Sequence, residues 1–365
     1  MKNFNLKKTL VPLIAILFGF ILGALIMLGF GYNPLWGYED LLTAAFGTTK
    51  AIGEIFRSMG PLILTALSFA VASRAGLFNI GMSGQALAGW LAASWFALTN
   101  PDLSRLLMIP AVIIIGMLAG AIVAMIPGVL KALYGTSEVI VTIMMNYIIL
   151  FATTHIVHNV WDKIKVGGKG IMQSKDSTIS VSKNATFRTD FFTNLTDHSR
   201  MNIGIIIAII ALIAIAILFS RTTLGFEIRA VGLNPNASEY AGISAKRTII
   251  TSMVIAGALA GLGGVVEGLG TFQNFFVQSS NLQIGFDGMA VALLGQSSSI
   301  GIFFAAFLFS TLKVGAPGMT NTGIPSEIIS VVIATIIFFV GIKFVIDKFL
   351  PEFQFKKKTV KGDKS

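Results

Sequence analysis

Residues Val11 to Phe30 form an unbroken apolar run with no charged side chain. At about 1.5 Å per residue, such a run makes a helix about 30 Å long, one hydrocarbon core. Lys2, Lys7 and Lys8 precede it. A cleaved signal peptide would have a shorter apolar region and a small-residue cleavage site, so the run is read as an uncleaved first span. Comparable stretches recur at about 59–72, 77–98, 106–130, 138–158, 202–219, 249–270, 286–298, 300–314 and 326–346. The expected fold class is therefore an all-α integral membrane protein. Residues 1–365 are read as one transmembrane domain of about ten membrane segments.

Composition supports lipid as the solvent. Apolar residues make up 54% of the 365 and charged residues 12%, where a soluble domain carries about a quarter charged. The net charge of +10 suits cytoplasmic anchoring of spans. No basic stripe is interleaved with aromatics, so no nucleic-acid partner is expected. The absence of cysteine excludes disulfides, thiolate metal sites and a cysteine nucleophile.

Several apolar segments are too short or too glycine-rich for simple spanning helices. Only Ser73, Arg74, Ala75 and Gly76 separate 59–72 from 77–98, and 286–298 abuts 300–314. Backbone broken at membrane depth is tolerated where it is buried in protein or lines a cavity. Short, interrupted segments in matching positions of two halves point to a transport site. The block Gly76 to Gln85 and the block Ile284 to Gln296 stand at matching places, so two broken segments and an internal repeat are expected.

Counting lysine and arginine orients the chain, with both termini cytoplasmic. Inside fall Lys2, Lys7, Lys8, Arg74, Lys131, Arg221, Arg229, Lys246, Arg247 and a basic tail, 351–365. Lys50, Arg57 and Arg105 fall outside, with Lys313 at a span end. The segment 159–200 is expected as an extracellular loop despite its seven basic residues, Lys163 to Arg200. His155 and His158 share a helix face beside it but have no evident third ligand, so no metal site is expected. No GxxxxGK[ST], HExxH or nucleophile elbow occurs, so neither a catalytic residue nor an ATP site of its own is expected.

The segment 220–247 is expected as a cytoplasmic docking loop. Asn234 is a favoured N-cap, Pro235 suits the first helical position and Gly242 suits C′. They bracket a helix of about two turns, 235–241, containing Glu239 and flanked by Arg229, Lys246 and Arg247. Docking on a partner and simple connection between spans fit it equally on these grounds.

Thr223 to Pro235 resembles the coupling region of ABC-transporter permeases for nucleosides, a group related to ribose and branched-chain amino acid permeases. Three further blocks agree in order: Ser73 to Gln85, Thr136 to Tyr147, and Gly285 to Gly295. The chain departs from the family at Ser83, where an acidic residue is usual, and at Gln296-Ser297, where Asn-Pro is frequent. The resemblance implies a bacterial plasma-membrane importer. Its partners would be an ATPase subunit holding ATP and Mg, a second homologous permease, and an extracytoplasmic solute-binding lipoprotein. It also implies that Arg229, Asn234, Pro235, Glu239 and Gly242 couple to the ATPase, and that the chain itself holds no cofactor.

Polar groups at membrane depth usually face a cavity or each other. Asn79, Gln85, Asn146, Glu267 and Asp287 are candidates to line a nucleoside pathway, with Phe78 and Phe286 placed to stack on a base. Interhelical hydrogen bonding by the amides is the competing reading. A sugar or branched-chain amino acid permease, an ion-coupled secondary transporter relying on Glu267 or Asp287, and a non-transporting scaffold are the alternatives.

Overall fold

The computed structural model describes residues 6–341. The expected basic tail 351–365, and the end of the 326–346 segment, lie outside them. The described chain is almost entirely helical, and its strands are only two or three residues long. Two units are distinct. One contains α1 (Leu6–Gly29) and most of α14 (Ser326–Gly341); the other is Leu35–Ser326.

Within the larger unit the helices are α2 (Pro34–Phe46), α3 (Thr49–Arg74), α4 (Met82–Thr99), α5 (Arg105–Tyr134) and α6 (Glu138–Asn159). Two small hairpins and α7 (Asp190–Leu195) follow. Then come α8 (Gly204–Arg221), α9 (Thr223–Leu233), α10 (Pro235–Tyr240), α11 (Ala245–Val265), α12 (Gln283–Leu294) and α13 (Ser299–Gly315). Each of the ten apolar segments overlaps a helix within the described residues. Among the described residues, six helical stretches are long and apolar enough to cross a membrane alone: those beginning at Thr49, Arg105, Glu138, Gly204, Ala245 and Ser299.

The expectation of a short segment at 59–72 is corrected. It is the C-terminal part of α3, a helix of 26 residues. Thr48 starts that helix by accepting from the Ala51 amide at 3.1 Å, so Lys50 and Arg57 lie inside a helix and not in an outer loop. In its apolar window 83% of residues are buried, against 28% for α6 and α8. α3 is therefore the central rod, touching α8, α11, α12 and α13.

Glycine brings α4, α5 and α11 together. A Cβ at Gly261 would overlap the Gly116 carbonyl oxygen, one at Gly89 would overlap Gly261, and one at Gly264 would overlap Ala86. Without hydrophobic drive between helices in lipid, such backbone-to-backbone approach supplies the packing energy. Beyond Val265 the helix loosens into a π-helical turn, Val266–Phe272, ended by Gln273 in a left-handed conformation (φ 64°). The indole of Trp90 lies against Gly268 and stacks on Phe272 at 5.3 Å.

The segment 159–200 is polar in composition yet packed. Trp161 and Phe187 are fully buried. The Thr178 amide donates to the Phe275 carbonyl at 2.9 Å, and Val181 to Gln273 at 2.8 Å. The segment thus forms a cap that pairs with 273–276, not a free loop. Its His158 bonds Asp176 at 2.7 Å.

Gly261→Val should lower the thermal melting point of the detergent-solubilised protein by several degrees, because overpacking costs about 1–3 kcal/mol. Gly170→Ala, which meets nothing within 4 Å, should leave it unchanged. Equal melting of the two variants would remove the glycine seam as the packing determinant.

Candidate functional site: a braced break in the bundle

α3 ends in a tight cap. The Gly76 amide donates to Ser73 O at 3.1 Å and the Leu77 amide to Ala72 O at 3.0 Å. Gly76 takes φ +76°, which L side chains adopt only at a cost. Residues 77–81 then run without helical bonds until α4 begins at Met82. Thr65 meets Ile284 and Gly288, beside the Leu282 and Gly285 that Ser83 of α4 meets, and is nine residues from Arg74 and sixteen from Thr49, or about 14 and 24 Å along the helix. The break is therefore well inside the bundle.

Open backbone at that depth needs partners, and side-chain amides supply them. Asn146 Oδ1 accepts from the Gly84 amide at 2.8 Å, and its Nδ2 donates to Ile80 O at 3.0 Å. Asn79 Oδ1 accepts from the Gly81 amide at 2.9 Å. Asn79 and Gln85 exchange two bonds of 3.1 Å. The Ile80 amide donates to Thr142 Oγ1 at 3.3 Å. Asn79, Gln85 and Asn146 are all buried, at 1% exposure or less. The sequence marks each of these three amides either as lining a pathway or as bonding between helices. The structure commits each of them to protein partners around the break.

A second interruption faces the first. The chain from Gln273 to Leu282 is non-helical, and α12 starts at Gln283. Ser83 Oγ donates to Leu282 O at 2.8 Å, and Thr65 Oγ1 to Ile284 O at 3.0 Å. A Cβ at Gly285 would strike Ser83, and one at Gly288 would strike Thr65. The blocks singled out in the sequence therefore touch, but they differ locally: Gly76 to Gly81 is non-helical and Gly285 to Met289 is helical.

Asp287, on α12, is 5% exposed and bonded to Lys313 of α13 and, at 3.5 Å, to Gln283. Lys313 is thus no free cation at a span end. Sequence reasoning missed this partner, since a 26-residue separation has no helical periodicity to signal it. Phe78 meets Phe69 edge-to-face at 5.2 Å and stays 40% exposed. Phe286 is 37% exposed on α12.

Glu267 belongs to another network, at the far end of α3. It accepts from Thr271 Oγ1 at 3.3 Å, and Thr271 accepts from Arg57 at 3.0 Å. Glu54 accepts from Arg57 at 2.6 Å and from Arg200 at 2.7 Å (amide) and 3.0 Å (guanidinium). Arg188, in the cap, donates to Gly270 O and Thr271 O at 3.2 and 2.5 Å. Burial, and then the neighbouring Arg200, lower its pKa from the ordinary arginine value. The π-turn is thereby held from two sides by arginines.

The expected docking helix is present but shorter than two turns. Asn234 Oδ1 accepts from the Ala237 amide at 3.1 Å, Pro235 holds the first position, and α10 ends at Tyr240. Gly242 has φ +83° and its amide donates to Glu239 O at 2.9 Å. Arg229 donates to Gly225 O of its own helix. α9, not recognised as a helix in the sequence, joins α10 around a groove of about 510 Å³ lined by Phe226, Ala230, Leu233, Ala237 and Ile243. Leu233 and Tyr240 are 89% and 96% exposed.

Six helical stretches long and apolar enough to cross a membrane, among the described residues, mark a multi-pass membrane protein. A family profile described as "Branched-chain amino acid transport system / permease component" matches residues 51–341, and the chain belongs to that family. It is 62% identical over 363 residues to the nucleoside ABC transporter permease NupB of Lactococcus lactis subsp. cremoris, covering all of this chain and 98% of that protein. It is 44% identical over 349 residues to the guanosine ABC transporter permease NupP of Bacillus subtilis, covering 94% and 97%. The guanosine ABC transporter permease NupQ of the same bacterium is 28% identical over 257 residues, covering 68% and 76%. No solved structure matches. Members of this family are transport subunits without an ATPase site of their own, and this sequence has no phosphate-binding GxxxxGK[ST] loop.

Asn146→Leu leaves the Gly84 amide and the Ile80 carbonyl unpaired. It should destabilise the protein by about 2 kcal/mol in a detergent melt, the cost of such buried groups. Glu54→Gln should cost more than Arg200→Gln, because Glu54 is 14% exposed and shared while Arg200 is 51% exposed. The reverse order in the same melt would refute the shared-acceptor reading.

Proposed function

We propose that this chain is the membrane permease of an ATP-driven importer that admits nucleosides. The similarity to NupB along the whole chain supports the solute class. The exposed α9–α10 element supports the power source, because a capped helix presenting Tyr240 to solvent, beside an exposed Leu233 at the end of α9, has the chemistry of an interface anchor. In this reading the groove of α9 and α10 receives a separate ATPase subunit that holds ATP and Mg. Asn234, Pro235, Glu239 and Gly242 shape the contact, and Arg229 buttresses α9. A second, homologous permease completes the pathway, and an extracytoplasmic lipoprotein delivers the solute above the 159–200 cap.

The same reading puts both termini and 220–247 in the cytoplasm, with ten membrane segments in two related halves meeting at the paired breaks. Solute passes between α3, α4 and α12. Phe78 and Phe286, partly exposed, offer rings to a base. Asp287 and Glu267 supply acceptors when their present partners are exchanged for solute hydroxyls. Asn79, Gln85 and Asn146 keep the broken backbone satisfied beside the route.

Uptake of labelled nucleoside by cells with and without this chain tests the solute class. Unlabelled nucleosides should compete, and free ribose and branched-chain amino acids should not. The opposite pattern refutes it. Gly242→Val tests the coupling element. Nothing lies within 4 Å of the added carbon, so its effect comes from forcing a β-branched residue into left-handed backbone, about 1–2 kcal/mol. Uptake should fall while the protein still inserts; uptake at wild-type rates would separate α10 from the driving step.

A further inference from the structure

We propose that Arg74 is a positioning residue that relays motion of α9–α10 to the α12–α13 turn; the inference rests on the coupling role assigned above. Arg74 is the last residue of α3. Its backbone carries α9: a Cβ on Gly232 would overlap the Arg74 carbonyl oxygen, and one on Gly76 would approach Gly232 Cα to 3.3 Å. Peptide sits directly on peptide there, so α9 cannot shift without displacing the end of α3.

The side chain reaches the other way. Its guanidinium lies 4.2 Å from the ring centre of Phe219, near the end of α8. One nitrogen donates to Ser297 O at 2.8 Å. Ser297 and Gln296 form the turn between α12 and α13, and both are non-glycine residues in left-handed backbone, at φ 51° and 52°. Such residues cost about 1 kcal/mol or more each and persist where surroundings hold them. α12 in turn carries Asp287, with Gly285 and Gly288 pressed on the broken entry to α4 and on α3. One side chain therefore joins the ends of α3 and α8 to the base of the short helix that closes against the break. A planar, multidentate cation can stack and donate at once, which a lysine ammonium cannot.

The chain has no cysteine, so single introduced cysteines can carry fluorophores. Lys246→Cys reports the α10–α11 corner and Ser299→Cys the α12–α13 turn. The full chain is assembled with its ATPase and partner permease in lipid nanodiscs for the labels, and in proteoliposomes for uptake and ATP hydrolysis. ATP should shift both labels in the otherwise native chain. In Arg74→Gln the Lys246→Cys label should still respond and the Ser299→Cys label should not. Uptake per ATP hydrolysed should fall about tenfold, the loss of one charge-assisted hydrogen bond. Arg74→Lys should fail in the same direction. A Ser299→Cys response and a coupling ratio that survive Arg74→Gln overturn the relay alone. A silent Lys246→Cys label in the native background overturns the coupling role, and the relay with it. If Arg74→Gln does not accumulate, Phe219→Leu removes only the stacking surface and is read by the same two labels and ratio.

Discussion

Hydrocarbon offers an open peptide group no partner, and an unpaired one costs several kcal/mol. A helix interrupted at membrane depth must therefore bring its own donors and acceptors. Most of what is distinctive here follows from that requirement. The non-helical residues 77–81 are enclosed by α6, whose Asn146 takes a peptide amide with one atom and gives to a carbonyl with the other. Asn79, held by Gln85, takes the Gly81 amide, and Thr142 takes the Ile80 amide. The second interruption is met by hydroxyls, with Ser83 on Leu282 and Thr65 on Ile284. The first break is satisfied chiefly from α6, and the second from α3 and α4, the helices that flank the first.

Close approach makes this possible. A Cβ at Gly81 or Gly84 would crowd Thr142 or Asn146 of α6 at 3.1 or 3.0 Å, and one at Gly285 or Gly288 would overlap Ser83 or Thr65 outright. Elsewhere glycine serves packing alone, as in the Gly116, Gly120, Gly257 and Gly261 seam between α5 and α11. The same residue type thus does two jobs that composition cannot separate. At the far end of α3, arginines take over. Arg57 and Arg188 hold the π-turn through Thr271 and its neighbours, and Glu54 gathers Arg57 and Arg200.

The amides show what depth in an apolar run leaves open. Asn79, Gln85 and Asn146 read as pathway candidates or as interhelical bonding groups, and in the structure each bonds protein. Asn79 and Gln85 bond locally, to the Gly81 amide and to each other, but the bonding of Asn146 to Gly84 and Ile80 depends on α6 lying against α4, which no local spacing encodes. Lys313 shows the complementary failure. A basic residue near the end of an apolar run reads as an interfacial anchor, yet it pairs with Asp287 on the neighbouring helix. The polar segment 159–200 reads as an exposed loop by composition, although Trp161, Ile171 and Phe187, all buried, were the signal that it packs.

By itself the sequence determined the solvent, the helical class and a capped helix at 235–241, which the structure ends at Tyr240. Each rests on local chemistry: apolar run length, charge content, and an Asn-Pro start with a glycine stop. Motif order along the chain also carried the family. Only the tertiary structure decided that α3 runs unbroken from Thr49 to Arg74, that the two interruptions face each other, and that Arg74 joins α8, α9 and the α12–α13 turn. Those outcomes depend on contacts between residues tens to hundreds of positions apart, where hydrogen-bond satisfaction and close backbone packing, not periodicity, select the arrangement.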